Sequence, residues 1–185
     1  ILGSALPLRS HPMMVAEEHA MIDVISGGRL ISGFVRGIGA EYHTFGVNPT
    51  FSHDRFHEAH DLIVRAWTEK GPFAFEGRHY RVNYVNLWPQ PLQKPHPPIW
   101  IPSQGSKETI DWAAHPDRRY TYLQTFSPAK VVARYLKMYR DTCEGYGYKA
   151  KDSQLGWSVP VYVGRDDESA RREARVHFEN FRNVF

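Results

Sequence analysis

Cysteine is almost absent from this sequence, since Cys143 is the only one among 185 residues. A single cysteine excludes an internal disulfide, and this favours a reducing, cytoplasmic setting. The sequence also lacks any apolar run long enough to span a bilayer and any signal-peptide pattern. We therefore expect no membrane partner.

Runs of like charge are missing as well. The 23 Lys and Arg residues are interspersed with 20 Asp and Glu residues, for a formal net charge of +3, so no nucleic-acid partner is expected. In contrast, 42% of the residues are hydrophobic and 14% are aromatic, which is enough for a folded core.

The chain does not begin with Met and stops at Phe185 within a helical pattern. It is therefore interpreted as an internal fragment, with residues 1–185 belonging to a single domain truncated at both ends.

Three well-known phosphate and nucleophile motifs are absent: the P-loop, the G-x-S-x-G elbow and a G-x-G-x-x-G after a strand. Gly37 and Gly39 form a G-x-G, but Tyr42 stands where the third glycine would be. Dinucleotide binding of the doubly wound kind is therefore disfavoured.

Strand and helix patterns alternate along the chain, separated by glycine, proline and helix-capping residues. Helix starts are expected at Pro12, Ser106, Pro128 and Asp166. The segment after Val35 is predicted as a loop, and a β-hairpin is inserted at 73–86. Strands are predicted at 1–8, 30–35, 99–102, 120–126 and 159–163, and helices at 12–25, 51–67, 106–115, 128–145 and from 166 onward.

This alternation, five times over, predicts an α/β fold with a parallel sheet and helices outside it. Right-handed crossovers leave two architectures open, a doubly wound sheet and a (β/α)8 TIM barrel. A complete barrel takes roughly 250 residues and eight units. About five βα units in 185 residues therefore fit a barrel cut at both ends.

In both architectures ligands bind at the carboxyl ends of the strands. The best candidate for an anion site is the turn PSQGSKET at 102–109, where a helix start offers free N–H groups and the positive end of its dipole. Three hydroxyl groups add to it, from Ser103, Ser106 and Thr109. Arg36, at the end of the preceding buried strand, could supply a bidentate partner for the anion.

Each candidate has a plainer alternative. The turn could be an ordinary helix cap, and Arg36 could be solvated or paired with Glu41. His11, between the first strand and Pro12, is more typical of a capping or surface residue than of a catalytic base.

Three histidines in HDRFHEAH have the spacing of metal ligands on one helix face, namely His53, His57 and His60. The segment is not the H-E-x-x-H zinc signature, because Glu58 and His60 fall out of register. A partly exposed flank beside the apolar face explains the three histidines without a metal, so none is predicted.

Several stretches, in order, resemble the bacterial luciferase-like monooxygenase family and cover most of residues 6–114. They are LPLRSHPMMVAEEHAMIDVISGGRLISGFVRG, TFGV, RFHEAHDLIVRAWT, FEGRHYRV and WPQPLQKPHPPIWI. The resemblance implies a (β/α) barrel that uses flavin mononucleotide (FMN). In that family reduced FMN reacts with O2 to give a flavin peroxide, which oxidises a small organic substrate.

The resemblance also implies roles for individual residues. Arg36 corresponds to an arginine that reaches the flavin phosphate, beside a phosphate-binding turn that contains Gly105, Ser106 and Thr109. Arg55 or His53 corresponds to a second basic phosphate contact. His11 corresponds to a histidine near the active site, in a loop one residue longer than in luciferase. A catalytic histidine that some members carry earlier in the barrel lies outside this chain.

Partners are implied in the same way. Family members take reduced FMN from a separate flavin reductase, and many form homodimers through helices such as the one predicted at 12–25. Two alternatives stay open, an oxidoreductase of the same fold that uses the deazaflavin coenzyme and a non-catalytic flavin-binding partner subunit. The identity of the organic substrate is open as well.

Overall fold

The computed structural model describes residues 1–184 and, in the last helix, side chains as far as residue 180. Strands and helices alternate throughout, apart from one inserted hairpin. In chain order the elements are β1 (Leu2–Ala5), α1 (Pro12–Ile25), β2 (Ser32–Val35), α2 (Gly39–Phe45), α3 (Ser52–Thr68), β3 (Phe73–Glu76), β4 (Arg81–Val85), β5 (Ile99–Ser103), α4 (Lys107–Ala114), β6 (Thr121–Thr125), α5 (Ala129–Gly145), β7 (Leu155–Ser158) and α6 (Asp167–Val184).

Five strands form one parallel sheet in the order β1-β2-β5-β6-β7. Ala5 lies opposite Val35 at the end of β1 and β2, and Ser103 lies opposite Gln124 at the end of β5 and β6. All five carboxyl ends therefore meet at one edge of the sheet. The predicted α/β class is confirmed, and the sheet forms part of a (β/α) barrel.

Aromatic side chains join the sheet to its helices. Phe34 of β2 is fully buried and packs against Trp67 of α3, with ring centroids 5.9 Å apart. The Trp67 indole Nε1 donates to the Ala16 carbonyl of α1 at 3.0 Å. Tyr122 of β6 likewise stacks on Tyr139 of α5, with ring centroids 5.7 Å apart. These contacts fix the strands whose ends carry the candidate site.

A buried polar cluster joins α1 to the first two strands. His19 is 0% exposed, its Nε2 lies 3.0 Å from the Ser4 hydroxyl, and its Nδ1 lies 2.9 Å from the Ser32 hydroxyl. Burial, with a smaller effect of the Arg9 charge, lowers the pKa of His19 to about 4. The imidazole is therefore neutral at physiological pH.

The expected hairpin, formed by β3 and β4, is anchored to α3 by one carboxylate. Glu58 accepts hydrogen bonds from the backbone N–H groups of Arg78, His79 and Tyr80 at 2.9, 2.9 and 2.6 Å. A Cβ atom on Gly77 would lie only 1.9 Å from the Glu58 Oε1 atom. The turn therefore needs glycine to approach the helix this closely.

One segment predicted as a loop is a helix. After Val35 the chain forms α2, whose start is stabilised by the Glu41 carboxylate accepting a hydrogen bond from the Ile38 N–H at 2.8 Å. Gly46 ends the helix in the left-handed conformation, with φ of 63°. The loop prediction relied on Gly37 and Gly39 and did not consider Glu41 as a helix-capping residue, so it was wrong.

The fifth strand of the sheet also differs from its predicted position. It is β7, which pairs with β6 from Leu155 opposite Tyr122 to Ser158 opposite Thr125, whereas 159–163 is irregular. Pro160 explains the error, because proline has no N–H for a strand ladder. Residues 159–163 therefore lie beyond the carboxyl edge of the sheet.

The capping predictions for α4 and α6 are confirmed. The Ser106 hydroxyl accepts from the Thr109 N–H at 3.3 Å, and the Asp166 carboxylate accepts from the Ser169 N–H at 2.8 Å. Within residues 1–184, no helix combines the length and apolar character that crossing a membrane requires.

Candidate functional site

A cleft of about 1140 Å³ lies at the carboxyl ends of β2, β5 and β6. This is the edge at which (β/α) barrels and open parallel sheets bind ligands. Five of the seven site residues predicted from the sequence line the cleft: Arg36, Ser103, Gly105, Ser106 and Thr109. Adjacent strands bring them together, because β2 and β5 are neighbours in the sheet.

Arg36 follows β2 directly and its side chain is exposed at the cleft. Its backbone carbonyl accepts a hydrogen bond from the Tyr42 hydroxyl at 2.5 Å, which ties the end of β2 to α2. None of the Arg and Lys ion pairs among the described side chains, which extend to residue 180, includes Arg36. Glu41, the partner considered from the sequence, binds the Ile38 N–H instead. The guanidinium is therefore available to an anion in the cleft.

The turn between β5 and α4 is organised by two serine hydroxyls. Ser103 Oγ accepts from the N–H groups of Gly105 and Ser106 at 3.1 and 3.2 Å, and Ser106 caps the helix. Because Gly105, Ser106 and Thr109 all line the cleft, the N-terminus of α4 opens onto it. A helix N-terminus carries partial positive charge and favours a bound anion.

Gly105 is required at this turn for two reasons. Its φ of 109° lies in the region that side-chain-bearing residues avoid. A Cβ atom there would also lie 2.2 Å from Cζ of Tyr135 on α5. The glycine thus lets the turn pack against α5 while it keeps the shape of the helix start.

The α3 wall of the cleft carries two histidines in contact. His53 Nε2 lies 2.9 Å from the Glu108 carboxylate and 3.0 Å from His57 Nε2. Burial, together with the neighbouring His53 and His60, lowers the pKa of His57 to about 4, so His57 is neutral at pH 7. His57 Nδ1 is buried without a hydrogen-bond partner among the described residues. This wall therefore presents a neutral imidazole and a histidine–carboxylate pair to the cleft.

Two predicted site residues lie outside the cleft lining. His11 Nδ1 accepts from the Met13 N–H at 3.1 Å, so the capping alternative is confirmed, and its ring packs edge-on to Tyr80 at 5.9 Å. Arg55 Nε donates to the Tyr80 hydroxyl at 3.3 Å. Both side chains therefore contact Tyr80 of the hairpin. Of the pair Arg55 and His53, only His53 reaches the cleft.

The three histidines with metal-ligand spacing separate into two environments. His60 is buried, with Nδ1 2.9 Å from Asp61 and Nε2 2.8 Å from the Tyr120 hydroxyl, and burial lowers its pKa. His53 and His57 face the cleft instead. Within the part of the chain that the structure describes, no group of three or more His, Cys, Asp or Glu is placed to hold a metal ion.

Sequence reasoning missed the aromatic part of the cleft. Phe56, Trp112 and Phe126 line it together with Glu108. Trp112 falls three residues after Thr109, one helical turn along α4, and this spacing was a usable signal. Phe126, at the end of a predicted strand, was a second one.

An arginine without an ion pair, a helix start and aromatic side chains converge on one cleft. This combination suits a flat ligand that carries an anionic group, bound at the ligand edge of a partial (β/α) barrel. The fold and the cleft are those of a ligand-binding (β/α) barrel.

Comparison with known proteins agrees with this class. The chain belongs to the luciferase-like monooxygenase family, whose model matches residues 1–184. It is 34% identical over 108 residues to an FMNH(2)-dependent dimethylsulfone monooxygenase of Pseudomonas putida, covering 54% of this chain and 28% of that protein. It is 37% identical over 94 residues to the oxygenase component of a flavin-dependent trigonelline monooxygenase of Acinetobacter baylyi, covering 49% and 26%.

Solved structures share the fold. The monooxygenase RslO1 from Streptomyces bottropensis superposes with a TM-score of 0.82 at 28% identity, covering 95% of this chain and 54% of that one. An F420-dependent secondary alcohol dehydrogenase superposes with a TM-score of 0.72 at 17% identity, covering 93% and 52%. The latter likeness concerns the fold alone.

The relatives are longer than this chain. An uncharacterised protein of Sinorhizobium fredii is 33% identical over 95% of the chain, which corresponds to 51% of its own length. The chain thus spans about half the length, or less, of the curated relatives it matches.

Proposed function

We propose that this chain is the FMN-binding part of a luciferase-like monooxygenase that uses reduced FMN and O2 to oxidise a small organic substrate. The observation that carries the proposal is Arg36, exposed without an ion pair in the cleft onto which the N-terminus of α4 also opens. Both features favour an anion, and a phosphate monoester is the anion that FMN would bring. The two flavin-dependent relatives support the choice of cofactor.

The cleft offers suitable contacts for both the phosphate and the flavin ring of FMN. Arg36 would hold the phosphate by charge-assisted hydrogen bonds, and Ser106 and Thr109 would add hydroxyl groups. His53 would be the second basic contact, provided that its bond to Glu108 is released. Trp112 and Phe56 would cover apolar ring surface and exclude water.

When bound, reduced FMN would supply two electrons, so that one oxygen atom of O2 would enter the organic substrate and the other would leave as water. The protein's part is to bind the cofactor, orient it and keep the cleft dry. His57, neutral at pH 7, would add no positive charge to the cleft, so Arg36 would make the main charged contact to the cofactor phosphate. The flavin peroxide and a role for His11 stay predictions.

Partners follow from the same proposal. The Acinetobacter relative is an oxygenase component, which supports a separate flavin reductase as the source of reduced FMN. A homodimer through α1 is supported by apolar side chains exposed on that helix, including Met14 (45%), Met21 (47%) and Ile25 (81%). A single barrel domain over 1–185 and a cytoplasmic setting stay predictions.

The deazaflavin coenzyme is the second candidate, favoured by the fold it shares with the F420-dependent dehydrogenase. Such an enzyme would transfer a hydride and would need no O2. Binding of oxidised F420 in preference to FMN would favour it over the monooxygenase. A flavin-binding subunit without activity would bind FMN but turn over no substrate.

The test compares the affinity of the protein for FMN and for riboflavin, which lacks the phosphate. Fluorescence quenching measures both in the wild type and in Arg36→Ala. A hydrogen bond to a charged group contributes about 1.5–3 kcal/mol, so we expect Arg36→Ala to lower the affinity for FMN about tenfold or more. The affinity for riboflavin should fall less than about twofold.

Arg29→Ala is the matched control, because it removes the same charge near the opposite end of β2. It should leave both affinities unchanged. Equal weakening of FMN and riboflavin by Arg36→Ala would contradict the phosphate contact.

A further inference from the structure

Phe126 has an unusual backbone conformation. Its φ is 51°, and Arg119 is the only other residue besides glycine with positive φ in the described part of the chain. For a bulky side chain this left-handed conformation costs on the order of 1–3 kcal/mol and persists only where the surroundings impose it. Such strain occurs preferentially at sites of function.

A hydrogen-bonded chain holds the backbone on both sides of Phe126. The fully buried Gln124 accepts from the Tyr122 hydroxyl at 2.5 Å and donates through Nε2 to the Ser127 hydroxyl at 2.8 Å. The Ser127 hydroxyl in turn donates to the Thr125 carbonyl at 3.0 Å. The Ser127 side chain thus links the backbone before Phe126 to the residue after it and favours the observed conformation.

The result of this arrangement is a phenyl ring that is 63% exposed at the carboxyl end of β6. The ring lines the main cleft, and it also lines a second, smaller cavity of about 250 Å³. That cavity is otherwise formed by Ser127 and Pro128 after β6 and by Ser158, Val159 and Pro160 at the end of β7. Apart from two serines, its walls are apolar.

We propose that Phe126 separates the flavin cleft from a substrate subsite, and that the Phe126–Pro128–Val159–Pro160 cavity takes the aliphatic or alicyclic part of the organic substrate. This rests on the proposed function. The position suits this role because Phe126 lines both spaces. Its ring would therefore lie between a group bound in the smaller cavity and the cofactor cleft. A pocket this small and apolar selects a compact uncharged group over an anion.

The test measures binding of two ketones of the same shape, cyclohexanone and tetrahydropyran-4-one, which differ by one ring CH2 replaced by oxygen. Ligand-observed saturation-transfer NMR on the protein, with and without FMN, gives both affinities. We expect cyclohexanone to bind more tightly than the ether, and Phe126→Gly to weaken cyclohexanone at least fivefold. Glycine adopts positive φ without strain, so the variant keeps the backbone.

Two further variants sharpen the outcome. Val159→Asp, on the opposite wall, should also abolish cyclohexanone binding, while Phe45→Ala, which removes another exposed ring (66%) outside both cavities, should not. No saturable cyclohexanone binding, equal binding of both ketones, or an unchanged affinity in Phe126→Gly would overturn the subsite. Because the ketones are also measured without FMN, a protein that fails to bind FMN contradicts the proposed function and leaves this result readable.

Discussion

The buried His19 makes the protein sensitive to acid. In the folded state its pKa is about 4, mainly because burial disfavours the charged imidazole. Both neighbouring groups are the hydroxyls of Ser4 and Ser32, which can accept from either ring nitrogen, so lost hydration is the obstacle to protonation. An unfolded chain has the ordinary histidine pKa of 6.5. Below pH 6.5 His19 is protonated in the unfolded chain but stays neutral in the folded chain until the pH approaches 4. The free energy of unfolding therefore falls as the pH is lowered.

The size of the effect follows from the two pKa values. The loss begins near pH 6.5, reaches about 2 kcal/mol at pH 5, and levels off near pH 4 at about 3 kcal/mol. In a protein of this length 1 kcal/mol corresponds to roughly 2–4 °C in Tm. His19 alone should therefore lower Tm by about 4–8 °C between pH 7.5 and pH 5.

The assay is thermal unfolding between pH 7.5 and pH 5 in the wild type and in His19→Gln, followed by circular dichroism. At pH 7.5 the variant should be less stable, because it loses the contacts to the two serines. At pH 5 the gap in Tm should shrink by about 4–8 °C, since glutamine binds no proton. His43→Gln, which removes an exposed histidine, controls for loss of an imidazole. A gap that stays constant with pH would refute the reasoning.

Other predictions concern the turns and anchors around the site. Gly105→Ala should destabilise the protein by about 1–3 kcal/mol in denaturant unfolding and weaken FMN, because its methyl group meets Tyr135; Gly39→Ala, with open space around it, is the control. Glu58→Gln should speed proteolytic cleavage between β3 and β4 several-fold, since three N–H groups lose a charged acceptor; an unchanged cleavage rate would contradict the anchor. Trp67→Phe should cost about 1 kcal/mol or more through the lost bond to the Ala16 carbonyl, and equal stability would show that water replaces it.

The sequence was sufficient to predict that Arg36 and the turn before α4 lie in one cleft. A buried strand ending in Arg36 and another ending in the Ser103–Ser106 turn are consecutive strands of the parallel sheet, apart from the inserted hairpin. Neighbouring strands of one direction bring their carboxyl ends together, so periodicity and order alone place these residues side by side. No contact between distant side chains had to be known.

Contacts across the chain decided what the sequence left open. Arg55 and His53 are two residues apart on one helix and therefore point in different directions. Tyr80, 25 positions further along, takes up the Arg55 side chain, and nothing near Arg55 indicates this. Glu58 likewise has no role visible in its own helix, because its partners are the backbone N–H groups of the hairpin.

The observed position of β7 determines which side chains line the small cavity beside Phe126. Had 159–163 formed the strand, Val159 and Pro160 would lie within the sheet; instead they follow its carboxyl end and face Phe126 across the small cavity. Positive charge and the helix start lie at β2 and β5, while apolar side chains lie at β6 and β7. Such a gradient orients a ligand that has an anionic end and a flat apolar end. If FMN binds here, its phosphate is directed to Arg36, which leaves the β6–β7 side for the substrate.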